Sequence, residues 1–334
     1  MAAHPVIPMS KRRRLEAVLC GDQPDRVPVA LWRHFPVDDQ TPESLAGATL
    51  DFQQRFDFDF VKVTPSSSFC LRDWGAMDTW QGATEGTRTY IQRVIKSPED
   101  WIKLPVLDQY QGALADLLTC LILLVSELSP AGVPVLQTIF SPLSQAKNLA
   151  GGETLLVHLR QYPSEVSAGL KTIALSTQRF LEAALKTGID GIFYAVQHAS
   201  SALLSEAEYC QFDRDHDLEL LGMLEGTWLN LLHLHGNHIQ FDAFSDYPVQ
   251  VINWHDRDTA PSLGEALAKF PGTLCGGLQR ERTMVLGNPV SVTAEAHDAI
   301  LATAGRRFIL GTGCVLPTIA PRANILAARQ SVEA

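Results

Sequence analysis

Eight short runs of apolar and β-branched residues recur along this chain, and most are followed by a longer segment with helical spacing. They are Val27–Trp32, Phe60–Val63, Val133–Phe140, Gly191–Ala195, Leu231–His235, Val249–Trp254, Thr273–Gly277 and Phe308–Leu310. Strand and helix alternating over most of 334 residues predict an α/β protein built as a closed (β/α)8 TIM barrel. An open doubly wound sheet is the competitor. It calls for a glycine-rich turn after the first strand, and Leu31-Trp32-Arg33-His34-Phe35-Pro36 has no glycine. The gap between the second and third runs is too long for a simple βα unit. It holds Trp74-Gly75 and the alternating stretch Thr87–Val94, so a hairpin or flap insertion over the strand-end face is expected within residues 66–130. No linker divides the chain, and one domain over residues 1–334 is expected.

The helix signals carry a mechanism. Thr41-Pro42-Glu43 and Ser97-Pro98-Glu99-Asp100 each place a hydroxyl cap before a proline at the first helical position. Ser205-Glu206-Ala207-Glu208 fits a capping box. Val166, Leu170, Ile173, Phe180, Leu181 and Ala184 follow a helical stripe that Gly188 ends.

The formal charge of -10 argues against a nucleic-acid partner. The basic run Lys11-Arg12-Arg13-Arg14 is the exception, and it reads as the exposed face of a first helix. The first twenty residues lack the apolar core of a signal peptide, and the most apolar run, Leu117–Val125, is too short to cross a bilayer. The six cysteines are scattered without close pairs, as in a cytoplasmic protein with free thiols.

Barrel enzymes place their chemistry where strands run out into the following loops. Those positions here hold Arg33 and His34, Thr64 with Ser66 to Ser68, Ser141, Gln197 and His198, His233 and His235, His255 and Asp256, Gln279 and Arg280, and Cys314. Arg33 suits a bidentate grip on an anionic substrate, or equally a structural pair with Asp38 or Asp39. His198 and His255 are candidate general acids or bases, or hydrogen-bonded loop histidines. Asp256 is expected to orient His255 or cap the next turn, and Cys275 to be a small buried hydrophobe. In Leu232-His233-Leu234-His235 the period-two alternation of a strand puts both imidazoles on one face. If a pocket gathers them with Cys314, they form a zinc site, for imidazole and thiolate are both good zinc ligands. If not, the barrel merely has a polar interior.

These positions also carry a family likeness. The chain resembles the uroporphyrinogen decarboxylase superfamily, which includes zinc-dependent methyltransferases acting on corrinoid-bound methyl groups. Asp25-Arg26-Val27-Pro28-Val29 resembles its opening strand, Lys96–Trp101 its flap exit and Gly188-Ile189-Asp190-Gly191-Ile192 its central strand entry. The most specific match is the closing motif, Gly313-Cys314-Val315-Leu316-Pro317 through Pro321-Arg322-Ala323-Asn324-Ile325. The resemblance implies a (β/α)8 barrel and, as in many members, a homodimer.

Two branches imply different chemistry. The decarboxylase branch works without metal or organic cofactor and uses an arginine-rich segment, an aspartate, a tyrosine and a histidine. Arg33 fits the arginine loosely, but Ser66, Lys147 and Thr312 stand at the other three positions. The methyltransferase branch carries His-x-Cys-Gly-Asn at the fifth strand and Gly-Cys in the closing motif. This chain has His233-Leu234-His235-Gly236-Asn237 and Gly313-Cys314, with histidine replacing the middle cysteine. That swap makes a stronger Lewis acid and a weaker thiolate donor. The resemblance thus implies zinc on His233, His235 and Cys314, a thiol as methyl acceptor and a corrinoid, free or on a partner protein, as methyl donor. His198 and His255 are the expected catalytic groups, and Arg33, His34, Ser66, Gln197 and Gln279 the expected substrate contacts. A metal-free decarboxylase of uroporphyrinogen or another polycarboxylate is the alternative, and a non-enzymatic tetrapyrrole or corrinoid carrier a third reading.

Overall fold

The computed structural model describes residues 8–333. Seven parallel strands form one sheet: β1 (Val61–Val63), β4 (Val135–Phe140), β5 (Gly191–Val196), β6 (Leu231–Leu234), β7 (Val251–Trp254), β8 (Thr273–Leu278) and β9 (Phe308–Thr312), hydrogen-bonded in that order. β2 (Met77–Thr79) and β3 (Thr89–Gln92) make a separate antiparallel pair in the expected gap between β1 and β4. The parallel strands read as continuous apolar runs because both faces are covered, and nearly every residue in them is buried.

The first predicted strand is a correction. Val27–Trp32 makes only an isolated parallel bridge, Val29 to Leu310. Its backbone nevertheless touches both ends of the sheet. Leu310 donates to the Pro28 carbonyl at 2.8 Å, Ala30 donates to the Leu310 carbonyl at 3.0 Å, and Asp59, just ahead of β1, donates to the Val29 carbonyl at 2.9 Å. The sheet therefore curls until β1 and β9 flank the same segment, a barrel-like arrangement. Regular pairing fails there for two reasons. Pro28 has no N–H to give, and the Val29 N–H is taken by the Asp59 carboxylate at 2.8 Å.

Asp59 also corrects the reading of the basic run. Helix Lys11–Leu19 starts at the Ser10 cap, and Arg14 on it is buried rather than exposed. Arg14 reaches Asp59 at 2.7 Å and Asp25 at 2.7 Å, and Arg26 reaches Asp59 at 2.8 Å. This paired network binds the first helix and the Val29 segment to the chain entering β1. Buried charges are tolerated here because each has a partner.

Helix starts follow the sequence signals. Thr41 caps Pro42–Phe56, and Ser205 with Glu208 forms the expected reciprocal box. Ser97 opens a single 3-10 stretch, Pro98–Lys103, with Asp100 completing its box. The whole predicted stripe of helix Pro163–Leu185 is buried. Gly188, at φ 90°, takes the left-handed turn that leads to β5. No described helix is long and apolar enough to cross a membrane.

Candidate metal centre

The centre is assembled by strand register. His233 and His235 occupy alternate positions along β6 and its end, and both line a cavity from which Leu232 and Leu234 are turned away. β7 lies beside β6 with His233 paired to Asn253, so the next inward position after Asn253 is His255. Cys314 arrives two residues beyond the end of β9. Gly313 makes that approach possible: a Cβ there would lie 2.7 Å from both the Trp254 carbonyl oxygen and the His255 Cα.

The result is four donors, His233, His235, His255 and Cys314, with ligand atoms all within 4.8 Å of one another. Cys314 Sγ lies 3.6 Å from His235 Nδ1. The His235 and His255 rings sit 5.2 Å apart, and His233 stacks on Phe193 at 5.2 Å. Burial alone would push the Cys314 thiol up, but the neighbouring imidazoles, His233 first, outweigh it and hold the thiol well below its usual range. Burial likewise pushes His233 down, toward the neutral form. Neutral imidazole and thiolate are the forms that ligate metal. His255 Nε2 is buried with no hydrogen-bond partner among the described residues, an orphan that a cation would satisfy. Three nitrogens and one sulfur suit zinc. The residues fit the metal.

The cavity in front of the centre encloses about 370 Å³. His233, His235 and Cys314 form one wall, and Lys62, Arg93 and Lys147 stand among its other lining groups. Lys62 lies on β1 with its ammonium 4.5 Å from the Phe193 ring, and burial pushes it down to about 7. Burial, then the neighbouring Arg93, also lowers Lys147, whose Nζ is 3.4 Å from Gln197 Oε1. Arg93 donates to the Asn148 carbonyl at 2.6 Å. None of these three cations pairs with a carboxylate among the described residues, whereas Arg88 is paired with Asp39 and Glu85 with Arg280. The β2–β3 hairpin contributes Tyr90, and its connecting loop contributes Glu85, Thr87 and Arg88.

The other expected site residues divide. His34 and Gln197 line this cavity. His34 is pushed down to about 4 by burial and by Lys62. Arg33 does not reach it. Its guanidinium lies over Phe35 and Phe52, at 5.2 and 5.3 Å, and donates to the Thr318 carbonyl at 3.3 Å. Nor does it ion-pair with Asp38 or Asp39. Ser66 faces Ser68 at 3.2 Å and opens on a different, smaller hollow beside Phe69 and Arg72. His198 is buried off the cavity wall, and burial, then Lys147, lowers it to about 3. Gln279 spends its amide on its own loop and the loop after β7, accepting from the Glu281 N–H at 2.7 Å and donating to Asp258 at 3.3 Å. Asp256 does not orient His255. Its carboxylate accepts from the Gly277 N–H at 3.1 Å, and burial pushes it up to about 7. Cys275 is buried in β8, as expected. The sequence reading missed Lys62 and Arg93 as cavity groups and His255 as a fourth donor. A lone lysine inside the apolar run Phe60-Val61-Lys62-Val63 was the available signal.

No curated protein matches this chain. Among solved structures, a methyltransferase from Methanosarcina mazei superposes with a TM-score of 0.84 at 17% identity, covering 97% of this chain and 98% of that one. A B12-independent methionine synthase from Shewanella sp. W3-18-1, in complex with selenomethionine, gives a TM-score of 0.58 at 12% identity, with 92% and 93% covered. At these identities the likeness is one of fold. The family model for uroporphyrinogen decarboxylase (URO-D) matches residues 10–334, from the cap of the first helix onward, and by that match this chain belongs to the uroporphyrinogen decarboxylase family.

Proposed function

We propose that this protein is a zinc-dependent methyltransferase that moves a methyl group from a corrinoid or related donor to a small anionic thiol. The convergence of His233, His235, His255 and Cys314 within 4.8 Å at a cavity wall carries this reading. His233, His235 and Cys314, which line the cavity, would hold the zinc and leave one position for the acceptor, with His255 beside them. When bound, zinc supplies a Lewis acid that keeps an acceptor thiol deprotonated near neutral pH. Three of the four line the cavity and His255 stands behind them, so the approach to the centre is from the cavity side. Lys62, Lys147 and Arg93 take the anionic end of the acceptor, in place of the expected Arg33. Gln197 steadies the Lys147 ammonium. Phe193, between Lys62 and His233, provides an apolar surface for the acceptor's carbon chain. In this reading residues 1–334 form one closed barrel domain of a cytoplasmic homodimer, and the β2–β3 hairpin is a flap over the cavity mouth.

The test is elemental analysis of untagged protein purified without chelators, followed by turnover of methylcobalamin with an anionic thiol. About one zinc per chain and zinc-dependent thioether formation are expected. Metal-free protein with full activity would end the reading.

The unpaired cations favour one alternative, a metal-free decarboxylase of a polycarboxylate. Uroporphyrinogen conversion unaffected by chelators would support it. We expect slow or no conversion, because Ser66 opens away from the cavity and the Thr312 hydroxyl is spent on the Cys314 carbonyl at 2.6 Å.

A further inference from the structure

We infer that Asn253 is the positioning residue of the metal centre: its side-chain amide locks His233 in the tautomer that leaves Nε2 free for a ligand role. The inference rests on the metal reading above. His233 Nδ1 lies 2.7 Å from Asn253 Oδ1. Which of the two is the donor depends on which way the amide faces, and the surroundings decide that. Asn253 Nδ2 points at two backbone carbonyls, Cys275 O at 2.8 Å and Thr312 O at 3.1 Å. Carbonyl oxygens only accept, so the NH2 group must face them. A flipped amide would set three oxygens against one another in a site where Asn253 is 0% exposed and no solvent can relieve them. Oδ1 is therefore the atom facing His233, and it can only accept. His233 must carry its proton on Nδ1, which leaves the Nε2 lone pair available.

The same amide does more than choose a tautomer. It sits on β7, holds an imidazole of β6, and bonds the backbone of β8 at Cys275 and of β9 at Thr312. Thr312 precedes Cys314 by two residues, and its hydroxyl donates to the Cys314 carbonyl at 2.6 Å. One buried side chain thus ties together the strands that present His233, His255 and Cys314. The period-two alternation of β7 explains its placement, since Asn253 and His255 point to the same face. Phe193 fixes the His233 ring from its flat side, and Asn253 fixes it at its edge.

The test uses the full-length protein with Asn253→Leu, which keeps the bulk and removes the amide, and Asn253→Asp, which keeps an acceptor toward His233. Two measurements are made. The first is ¹⁵N NMR of the metal-free proteins, reading which His233 ring nitrogen bears hydrogen. The second is zinc affinity, by competition against a chromophoric chelator. We expect the Nδ1–H form in the wild type, loss of that preference in Asn253→Leu with zinc affinity lower by about 10- to 100-fold, and partial recovery in Asn253→Asp. A wild-type His233 protonated on Nε2, or an Asn253→Leu protein that binds zinc as the wild type does, overturns the inference. If Asn253→Leu does not fold, the wild-type tautomer and the Asn253→Asp affinity still decide. A wild type that binds no zinc overturns the metal reading instead, and the NMR measurement then judges the tautomer lock alone.

Discussion

The two sides of the cavity are built on opposite principles. On one side, His233, His235, His255 and Cys314 gather in a tight cluster of buried electron-pair donors. On the other, Lys62, Lys147 and Arg93 present positive charge that no carboxylate answers among the described residues. The first side suits a cation and the second an anion. Their supports differ too. The donor side stands on the ends of β6, β7 and β9 with regular register and a shared amide. The cationic side draws on a strand, the segment after the hairpin and a helix, Pro142–Ala150, and its charges are held by a ring face, a carbonyl and an amide oxygen. A rigid donor set beside under-satisfied charges is the arrangement of a site that a charged ligand completes, since burying unpaired ammonium groups costs stability unless binding recovers it.

The sharpest way to break this contrast is Cys314→Ser. A neutral hydroxyl replaces the thiolate, so zinc affinity should fall by roughly 100-fold or more while circular dichroism shows an intact fold. Unchanged affinity would mean that the cluster is a structural polar interior.

Lys62→Met probes the other side, and its two effects should have opposite signs. Loss of the cation should raise the KM for an anionic thiol by roughly 10-fold, with kcat little changed, as expected for a residue that binds rather than reacts. Stability should rise. Burial lowers Lys62 from its ordinary 10.5 to about 7 in the folded protein, so between those values the unfolded chain binds more protons than the folded one. The wild type should therefore gain stability as pH rises from about 7 toward 10.5, and the gain of the methionine variant over it should shrink across that window. Denaturant titrations at several pH values read this directly, and a flat difference would show that Lys62 is solvated.

Gly313→Ala should act on the donor side more mildly than Cys314→Ser. Its Cβ would press on the Trp254 carbonyl and the His255 backbone, costing about 1–3 kcal/mol and loosening zinc by pushing Cys314 outward. Equal zinc affinity in the variant would show that the β9 end yields without moving the sulfur.

The smallest effect belongs to Arg33→Ala. Its guanidinium lies on Phe35 and Phe52 rather than in the cavity, so the KM for the thiol should not change measurably. A large rise would place Arg33 on the cationic side after all.

Much of the donor side was legible in the chain. His233-Leu234-His235 alternates on a strand, and Gly313-Cys314 follows the last strand, so local periodicity brings three donors to strand ends. His255 was visible as a strand-end imidazole, but its role was open. Whether it stands alone or joins the cluster depends on the β6–β7 register, which pairs residues 20 apart. The cationic side was harder to read. Arg33 follows the first apolar run and Lys62 sits within the second, and only side-chain direction separates them.

By itself, the sequence determined the alternation of strands and helices, the starts of most helices, and the placing of two imidazoles on one face, because each depends on spacing along a few residues. Tertiary structure decided what depends on residues far apart in the chain. It replaced the first strand by a bridging segment, because a proline and the Asp59 carboxylate removed two ladder hydrogen bonds. It turned Arg14 inward to Asp25 and Asp59, and Arg33 onto aromatic rings. It also brought His255 and Asn253 beside His233, since hydrogen bonds between parallel strands, not neighbours in sequence, set which side chains meet.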